Sequence, residues 1–295
     1  MRGFGLILVL PVVWLLGDLL HSVWIRLRRN RFERDADRDA QGLLPAAHPI
    51  SAGTGTKGIL FVHGFVDLPK VFERWVSFFA DTGDFTCRAM RLPGFGDNTC
   101  VPTLALWREA IEKELDDLRG SCGQVWIAGH SLGGALVLLT ALKSPQKIRG
   151  LILLAPLVGV STKRSLFVSP EFFYGLARRL FLSTRMFESP FSRIRRAMDD
   201  PKFKYVADCF IPFESYDALF EAVRILRKAE TRPSLPLFAV VPTADSVVDP
   251  RVTEAWISDW AGPHEILRPD TGHVIPLDYD WRTFAARAVE FCGKH

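Results

Sequence analysis

One stretch of sequence, from Val125 to Ala135, places the tightest constraint on how this chain can fold. An apolar run ends in the pentapeptide GHSLG at residues 129–133, and a helical run of small and apolar residues follows. Glycines two positions before and two positions after Ser131 allow a strand and a helix to approach closely around a tight turn. Such a turn carries strained backbone and lifts the serine hydroxyl clear of the sheet. The sequence therefore predicts a strand, a sharp turn with Ser131 at its tip, and a helix.

This strand–turn–helix arrangement of G-x-S-x-G resembles the nucleophile elbow of the α/β-hydrolase superfamily. The resemblance implies that Ser131 is a nucleophile and that the backbone amide of Leu132, at the helix start, helps to bind an oxyanion. The same pentapeptide also occurs by chance in chains of this length. Its meaning therefore depends on partner residues elsewhere in the sequence.

Two later turns resemble the segments that carry the acid and the histidine of a catalytic triad. The segment TADSVVDP follows an apolar strand and resembles the G-x-x-D-x-V-V-P turn of the superfamily, which implies Asp245 as the acid; Thr243 replaces the usual glycine. Asp249 is the alternative acid, although it could instead cap a helix that begins near Pro250. The segment DTGHVI resembles the S/T-G-H turn of the superfamily and implies His273 as the general base. Nucleophile, acid and histidine then occur in the chain order of this superfamily.

A second oxyanion donor is implied at the end of the first apolar run that follows the linker. The run GILFVHGF at residues 58–65 suits a central strand that is buried on both faces. In the superfamily, a His-Gly after this strand commonly carries an oxyanion amide, which by position belongs here to Phe65. We interpret His63 as a structural loop histidine. The turn LPGFG at residues 92–96 resembles that of esterases and monoacylglycerol lipases, with Phe95 where members often have histidine.

Apolar strands and amphipathic helices alternate through four cycles, which predicts a mostly parallel central sheet flanked by helices. Since each candidate residue directly follows a strand, all should meet at the carboxyl edge of that sheet. The alternation stops in a phenylalanine-rich, basic segment where these hydrolases insert a helical cap over the site. We therefore expect an α/β-hydrolase fold with its core at residues 57–158 and 233–295 and a cap at residues 159–232.

The N-terminal segment, residues 1–25, contains an apolar run about long enough to cross a bilayer, although Asp18 interrupts it. Five arginines follow within ten residues, which by the positive-inside bias favours a retained membrane anchor with the catalytic domain on the cytoplasmic side. A cleaved signal peptide and a buried globular helix are the alternatives. Residues 26–56 are basic, then polar with Pro and Gly, and predict a linker.

Composition excludes several other classes of protein. The net charge is +4, with the basic excess concentrated after the N-terminal run, which does not indicate a nucleic-acid partner. Five scattered cysteines without a C-x-x-C pair predict neither a disulfide framework nor a zinc site. The implied mechanism needs no metal or cofactor. The sequence does not indicate an oligomeric state.

The resemblance implies a serine hydrolase that cleaves carboxylic esters through an acyl-enzyme on Ser131. The apolar cap and the anchor favour a hydrophobic or lipid-derived substrate, such as a monoacylglycerol, a lysophospholipid or another carboxylester, and a membrane as partner. The same fold and triad also serve thioesterases, aminopeptidase-like enzymes and C–C bond hydrolases. A non-catalytic, membrane-associated binding protein is the remaining alternative.

Overall fold

The computed structural model describes residues 3–97, 100–163 and 168–295, with side chains from residue 10 onward. The predicted anchor begins with two residues outside this set, and the predicted cap includes residues 164–167, which also lie outside it. The described residues form one central sheet, the helices around it, and a long N-terminal helix.

The sheet has seven strands in the order β1-β3-β2-β4-β5-β10-β11. Every neighbouring pair from β3 to β11 is parallel, and only β1 is antiparallel, to β3. The prediction of a mostly parallel sheet is confirmed. The strands are β1 Ile50–Ala52, β2 Lys57–Val62, β3 Phe85–Met90, β4 Gln124–His130, β5 Gly150–Leu154, β10 Leu237–Val240 and β11 His264–Leu267.

Burial explains why these runs form the centre of the sheet. All residues of β5 and β10 are buried, and in β2 and β4 only the first residue is not. Strands covered by helices on both faces read as continuous apolar runs rather than as alternating ones. The parallel order brings the carboxyl ends of β2, β4, β10 and β11 to one edge of the sheet.

The helices of the core fall into two groups by their contacts. One group contains α2 and α8, which pack against each other, and the other contains α3, α4 and α6. The helices are α2 Glu73–Ala80, α3 Leu104–Arg119, α4 Leu132–Lys143, α6 Phe213–Lys228, α7 Pro250–Ser258 and α8 Trp281–Lys294, with 3₁₀ turns at Pro45–Ala47, Pro69–Phe72, Pro145–Lys147 and Ile275–Leu277.

The segment between β5 and β10 contains α6, a further helix and four short strands. The helix is α5, Pro170–Leu180, and the strands are β6 Met186–Glu188, β7 Ile194–Arg196, β8 Lys204–Val206 and β9 Phe210–Pro212. Strand β6 pairs with β9, and β7 pairs with β8, both antiparallel. The sequence does not predict these strands, because three residues are too few to show a period.

The N-terminal helix, α1, runs from Gly3 to Asp35 and thus continues beyond residue 25, where the apolar segment was predicted to end. The continuation has a local cause, since no glycine or proline occurs between Arg26 and Asp35 and arginine favours helices. By length and composition, this helix could cross a membrane. Only 17% of its most apolar stretch is buried against the rest of the protein.

The elbow depends on two glycines where β4, α4 and β2 nearly touch. A Cβ on Gly133 would lie 2.0 Å from the carbonyl oxygen of Val62, and one on Gly129 would lie 2.5 Å from the backbone of Gly133. Neither position has room for a side chain. The spacing of the pentapeptide is therefore a packing requirement of the fold.

We predict that Gly133→Ala lowers the free energy of unfolding by about 1–3 kcal/mol, because the added methyl group forces backbone atoms apart. Chemical denaturation followed by circular dichroism measures this loss. Gly293→Ala is the matched control, since Gly293 also lies in a helix but has nothing within 4 Å of the added Cβ. Equal effects of the two substitutions would contradict the argument.

Candidate functional site

Ser131 occupies the turn between β4 and α4 with backbone angles that few non-glycine residues adopt. Its φ is 53° and its ψ is −116°. The turn is held by hydrogen bonds from the Ser131 amide to the Leu154 carbonyl and from the Leu157 amide to the Ser131 carbonyl. Such strain costs about 1–3 kcal/mol and persists only where the surroundings enforce it. Here the tight glycine contacts and these bonds enforce it.

Ser131, His273 and Asp245 form one chain of hydrogen bonds at the carboxyl edge of the sheet. The Oγ of Ser131 lies 2.8 Å from Nε2 of His273, and Nδ1 of His273 lies 2.7 Å from Oδ2 of Asp245. Each residue comes from the loop after a different strand, β4, β10 or β11. The structure thus brings together the three side chains that the sequence singled out.

The carboxylate of Asp245 is buried, and both of its oxygens have hydrogen-bond partners. Its Oδ1 accepts hydrogen bonds from the amides of Val247 and Val248, at 2.7 and 3.0 Å. Burial by itself would raise the pKa of Asp245, but the hydrogen bond and charge of His273 and these two amides outweigh burial and lower the pKa. Asp245 therefore stays ionised at neutral pH.

Asp249, the alternative acid, is placed differently. It precedes the first turn of α7, where its Oδ1 accepts a hydrogen bond from the Arg251 amide at 3.0 Å. This is the position and bond of a helix N-cap. Among the two aspartates, it is Asp245 that contacts His273.

The two residues implied as oxyanion donors flank the same serine. Phe65 lines the cavity beside Ser131 and precedes Val66, whose φ of 57° turns the loop sharply. Leu132 is the first residue of α4, so its amide belongs to the helix end whose N–H groups lack intrahelical acceptors. The placement suits the role, which stays a prediction.

Two buried histidines lie next to this site and are held neutral. His63 Nδ1 lies 2.9 Å from the Gly64 carbonyl, and Nε2 accepts from the Leu92 amide at 3.0 Å. Burial lowers the pKa of His63 to about 4. Burial and the nearby His273 lower the pKa of His130 to about 3, and its Nε2 lies 3.0 Å from the His273 carbonyl. Both histidines position backbone, as expected for His63.

A cavity of about 490 Å³ lies over Ser131 and His273. Most of its lining is apolar, and it comes from the core and from the segment between β5 and β10. The lining includes Phe65, Leu157, Val160, Pro170, Phe191, Met198, Leu219, Phe220, Val247 and Val274. An apolar cavity with a few convergent polar groups is the usual form of a small-molecule site.

Sequence reasoning missed a charged cluster at this cavity. Arg195 lines the cavity, and its Nη2 donates to the Val66 carbonyl at 2.7 Å. Its Nε lies 4.0 Å from the buried Asp67, which also accepts from the hydroxyl of Tyr205 at 2.6 Å. No sequence signal marks this cluster, because β7 and β8 bring Arg195 and Tyr205 there.

Within the described part of the chain, no group of three or more His, Cys, Asp or Glu side chains is arranged to hold a metal ion. The five cysteines are free thiols, and four of them are buried. Burial raises the pKa of Cys87 to about 12 and that of Cys209 to about 11, so neither is a ready nucleophile.

Comparison with known sequences matches residues 59–287 to the alpha/beta hydrolase family. The chain is 27% identical to the thermostable monoacylglycerol lipase of Bacillus sp. (strain H-257), over 86% of this chain and 97% of that one. It is 26% identical to the pimeloyl-[acyl-carrier protein] methyl ester esterase of Serratia marcescens, over 70% of this chain and 83% of that one.

Solved structures resemble the fold at lower sequence identity. One, from work on the metagenome-derived lipolytic enzymes LipS and LipT, has a TM-score of 0.72 and 22% identity, covering 86% of this chain and 100% of that one. The monoacylglycerol lipase of Paleococcus ferrophilus has a TM-score of 0.67 and 22% identity, covering 83% and 97%. At these identities, the resemblance concerns the fold alone.

We predict that His63→Gln makes the protein less sensitive to acid. Between pH 6.5 and pH 4 the unfolded chain takes up a proton on this residue and the folded chain does not, so stability falls as the pH falls. Between pH 7 and pH 5 this group accounts for a loss of about 2 kcal/mol. Urea unfolding at the two pH values should show a smaller difference for His63→Gln. The substitution of the exposed His264 by Gln is the control, and an unaltered difference in His63→Gln would refute the assignment.

Proposed function

Because the chain belongs to the alpha/beta hydrolase family, we propose that it is a serine hydrolase that cleaves carboxylic esters through an acyl-enzyme on Ser131. One observation carries the proposal. The hydrogen-bonded chain from Ser131 through His273 to Asp245 lies at an apolar cavity. Relatives named as a monoacylglycerol lipase and a methyl ester esterase support lipase- or esterase-like hydrolysis.

In the proposed mechanism, His273 takes the proton of the Ser131 hydroxyl as its oxygen attacks the ester carbonyl. His273 then returns that proton to the leaving alcohol, and water releases the acyl group by the same steps. Asp245 holds the imidazole in the required tautomer and stabilises its charged form. The amides of Phe65 and Leu132 bind the oxyanion, each lowering the barrier by about 3 kcal/mol.

The cavity favours a hydrophobic acyl group. Its lining is predominantly aliphatic and aromatic, and a volume of about 490 Å³ accommodates a lipid-sized chain. We therefore propose a lipid-derived or other hydrophobic ester, such as a monoacylglycerol or lysophospholipid, as the substrate class. The monoacylglycerol lipase among the relatives supports this choice.

We also propose that α1 anchors the enzyme to a membrane. Its exposed side carries large apolar residues from Leu10 to Leu27, and arginines cluster in the segment that follows Ile25. By the positive-inside bias, this distribution favours a catalytic domain on the cytoplasmic side.

The first prediction from this mechanism concerns Ser131. The Ser131→Ala variant should fold but lose ester turnover and covalent labelling by a fluorophosphonate probe, because the attacking oxygen is gone. Hydrolysis of p-nitrophenyl esters and gel fluorescence measure the two effects. Ser144→Ala, at another buried serine, is the control and should keep both. Undiminished labelling of Ser131→Ala would contradict the proposal.

The second prediction separates the two aspartates by the same isosteric change. Asp245→Asn should lower kcat about ten-thousandfold, because an amide cannot hold His273 in the required tautomer. Asp249→Asn should leave kcat and stability nearly unchanged, since asparagine is also a good N-cap. Steady-state kinetics on one soluble ester compares the two variants. A large loss of kcat in Asp249→Asn, with Asp245→Asn active, would reverse the assignment.

A further inference from the structure

Helix α5 contacts the protein through Tyr174 and Arg178, whereas several of its large apolar side chains face outward. The Tyr174 hydroxyl lies 2.8 Å from the Phe213 carbonyl and 2.6 Å from Asp217, and Arg178 also pairs with Asp217. The opposite side carries large apolar side chains that are between 44% and 58% exposed: Phe172, Phe173, Leu176 and Leu180. A helix on a water-exposed surface has the reverse arrangement. The outer face of α5 therefore indicates an apolar partner.

The turn after α5 is fixed to α1. The buried carboxylate of Asp18 accepts hydrogen bonds from the amides of Leu182, Ser183 and Thr184, at 2.6 to 3.1 Å. The Ser22 hydroxyl donates to the Ser183 carbonyl at 2.9 Å. This carboxylate therefore has its partners within the protein, which explains how an acidic residue is accommodated in an apolar helix.

From Asp18 toward the C-terminus of α1, one face of this helix packs against the segment between β5 and β10. His21 stacks on Phe181, Ile25 is buried, and Phe32 contacts Phe210. The spacing of these contacts follows the helical repeat from Asp18 onward. From that point on, α1 has the segment between β5 and β10 on one side and cannot be surrounded by lipid.

The opposite side of α1 remains apolar over the same length. Its exposed residues at this level are Leu19, Leu20, Val23, Trp24 and Leu27. Tryptophan and arginine mark the boundary between hydrocarbon and water, and Arg28 lies 4.9 Å from the Trp24 ring. The turn at residues 182–184 contacts α1 at Asp18, before this boundary, and so lies at the membrane interface.

We propose that α5 is a second membrane-contacting helix, whose Phe172, Phe173, Leu176 and Leu180 lie in the interfacial layer of the phospholipid bilayer that α1 enters, at a depth set by Asp18. The inference rests on the proposed anchor and extends it from one helix to a surface made of two. Membrane binding then buries in lipid the apolar side chains of α1 and α5 that water would otherwise contact.

This arrangement places the cavity next to the lipid. Pro170, the first residue of α5, lines the cavity, and so do Pro190, Phe191 and Ser192, which follow β6. The elements that contact α1 are thus continuous in the chain with the cavity lining. The proposed membrane surface therefore adjoins the cavity lining at Pro170 and at residues 190–192.

The test uses the full chain in phosphatidylcholine vesicles that contain phosphatidylglycerol. Cys100→Ser removes the partly exposed thiol and leaves the four buried cysteines, after which a single cysteine is introduced and labelled with the fluorophore NBD. The positions are Phe173→Cys on α5, Leu20→Cys on α1, and Glu109→Cys, exposed on α3, as the control. Lipids with a nitroxide near the head of the acyl chain act as quenchers.

We expect blue-shifted, quenched fluorescence at positions 173 and 20 and an aqueous, unquenched spectrum at position 109. If position 20 is quenched and position 173 matches position 109, the inference is overturned and the anchor survives. If position 20 is not quenched either, the result contradicts both the inference for α5 and the proposed α1 anchor. Fluorophosphonate labelling of the same samples reports on the serine hydrolase proposal separately.

Activity gives an independent readout of the same surface. The double variant Phe172→Ser, Phe173→Ser should lower turnover of a vesicle-borne monoacylglycerol about tenfold, a loss equivalent to about 1.4 kcal/mol. Turnover of a soluble short-chain p-nitrophenyl ester should be unchanged. Tyr279→Ser, at another exposed aromatic residue, is the control. Equal losses on both substrates, or no loss on either, would overturn the role of α5.

Asp18→Ala tests what sets the depth. Without the carboxylate, the three backbone amides of residues 182–184 lose their hydrogen-bond acceptor. Quenching at position 173 should therefore weaken, while quenching at position 20 persists. Unchanged quenching at position 173 would overturn the role of Asp18.

Discussion

The close approach of β4 and α4 at Gly129 and Gly133 is the constraint on which the site depends. Because backbone atoms there are within 2.5 Å of where a Cβ would be, the chain can turn only through a strained residue. That residue is Ser131, whose side chain projects toward the loops after β10 and β11. Packing of the sheet thus supplies the free energy that holds the serine in an unfavourable backbone conformation.

Several ionisable groups near this serine are stabilised by partners within the fold. Asp245 is ionised because two amides and His273 outweigh the cost of its burial. His63 is neutral because burial disfavours its charged form and both ring nitrogens have backbone partners. The same logic applies far from the site at Asp18, where three amides of the turn after α5 surround a carboxylate. In each case, an ionisable side chain fixes the position of a loop.

Much of the site was predictable because its residues follow strands in local motifs. GHSLG, TADSVVDP and DTGHVI each contain a local signal, and a parallel sheet brings the ends of its strands to one edge. The choice between Asp245 and Asp249 was also indicated, but only the loop conformation shows which carboxylate contacts His273. Arg195 was not predictable as a cavity residue, because two three-residue strands position it and such strands have no sequence period.

The sequence by itself determined the mostly parallel sheet, the elbow at Ser131 and the apolar character of the N-terminal helix, because all three depend on patterns within short stretches. Tertiary structure decided how distant segments meet. Only the folded chain shows that Asp18 holds the turn after α5, that this helix exposes large apolar side chains, and that Arg195 lies beside the loop of Phe65 and Val66. Contacts between residues more than one hundred positions apart leave no local pattern, since they depend on the path of the whole chain.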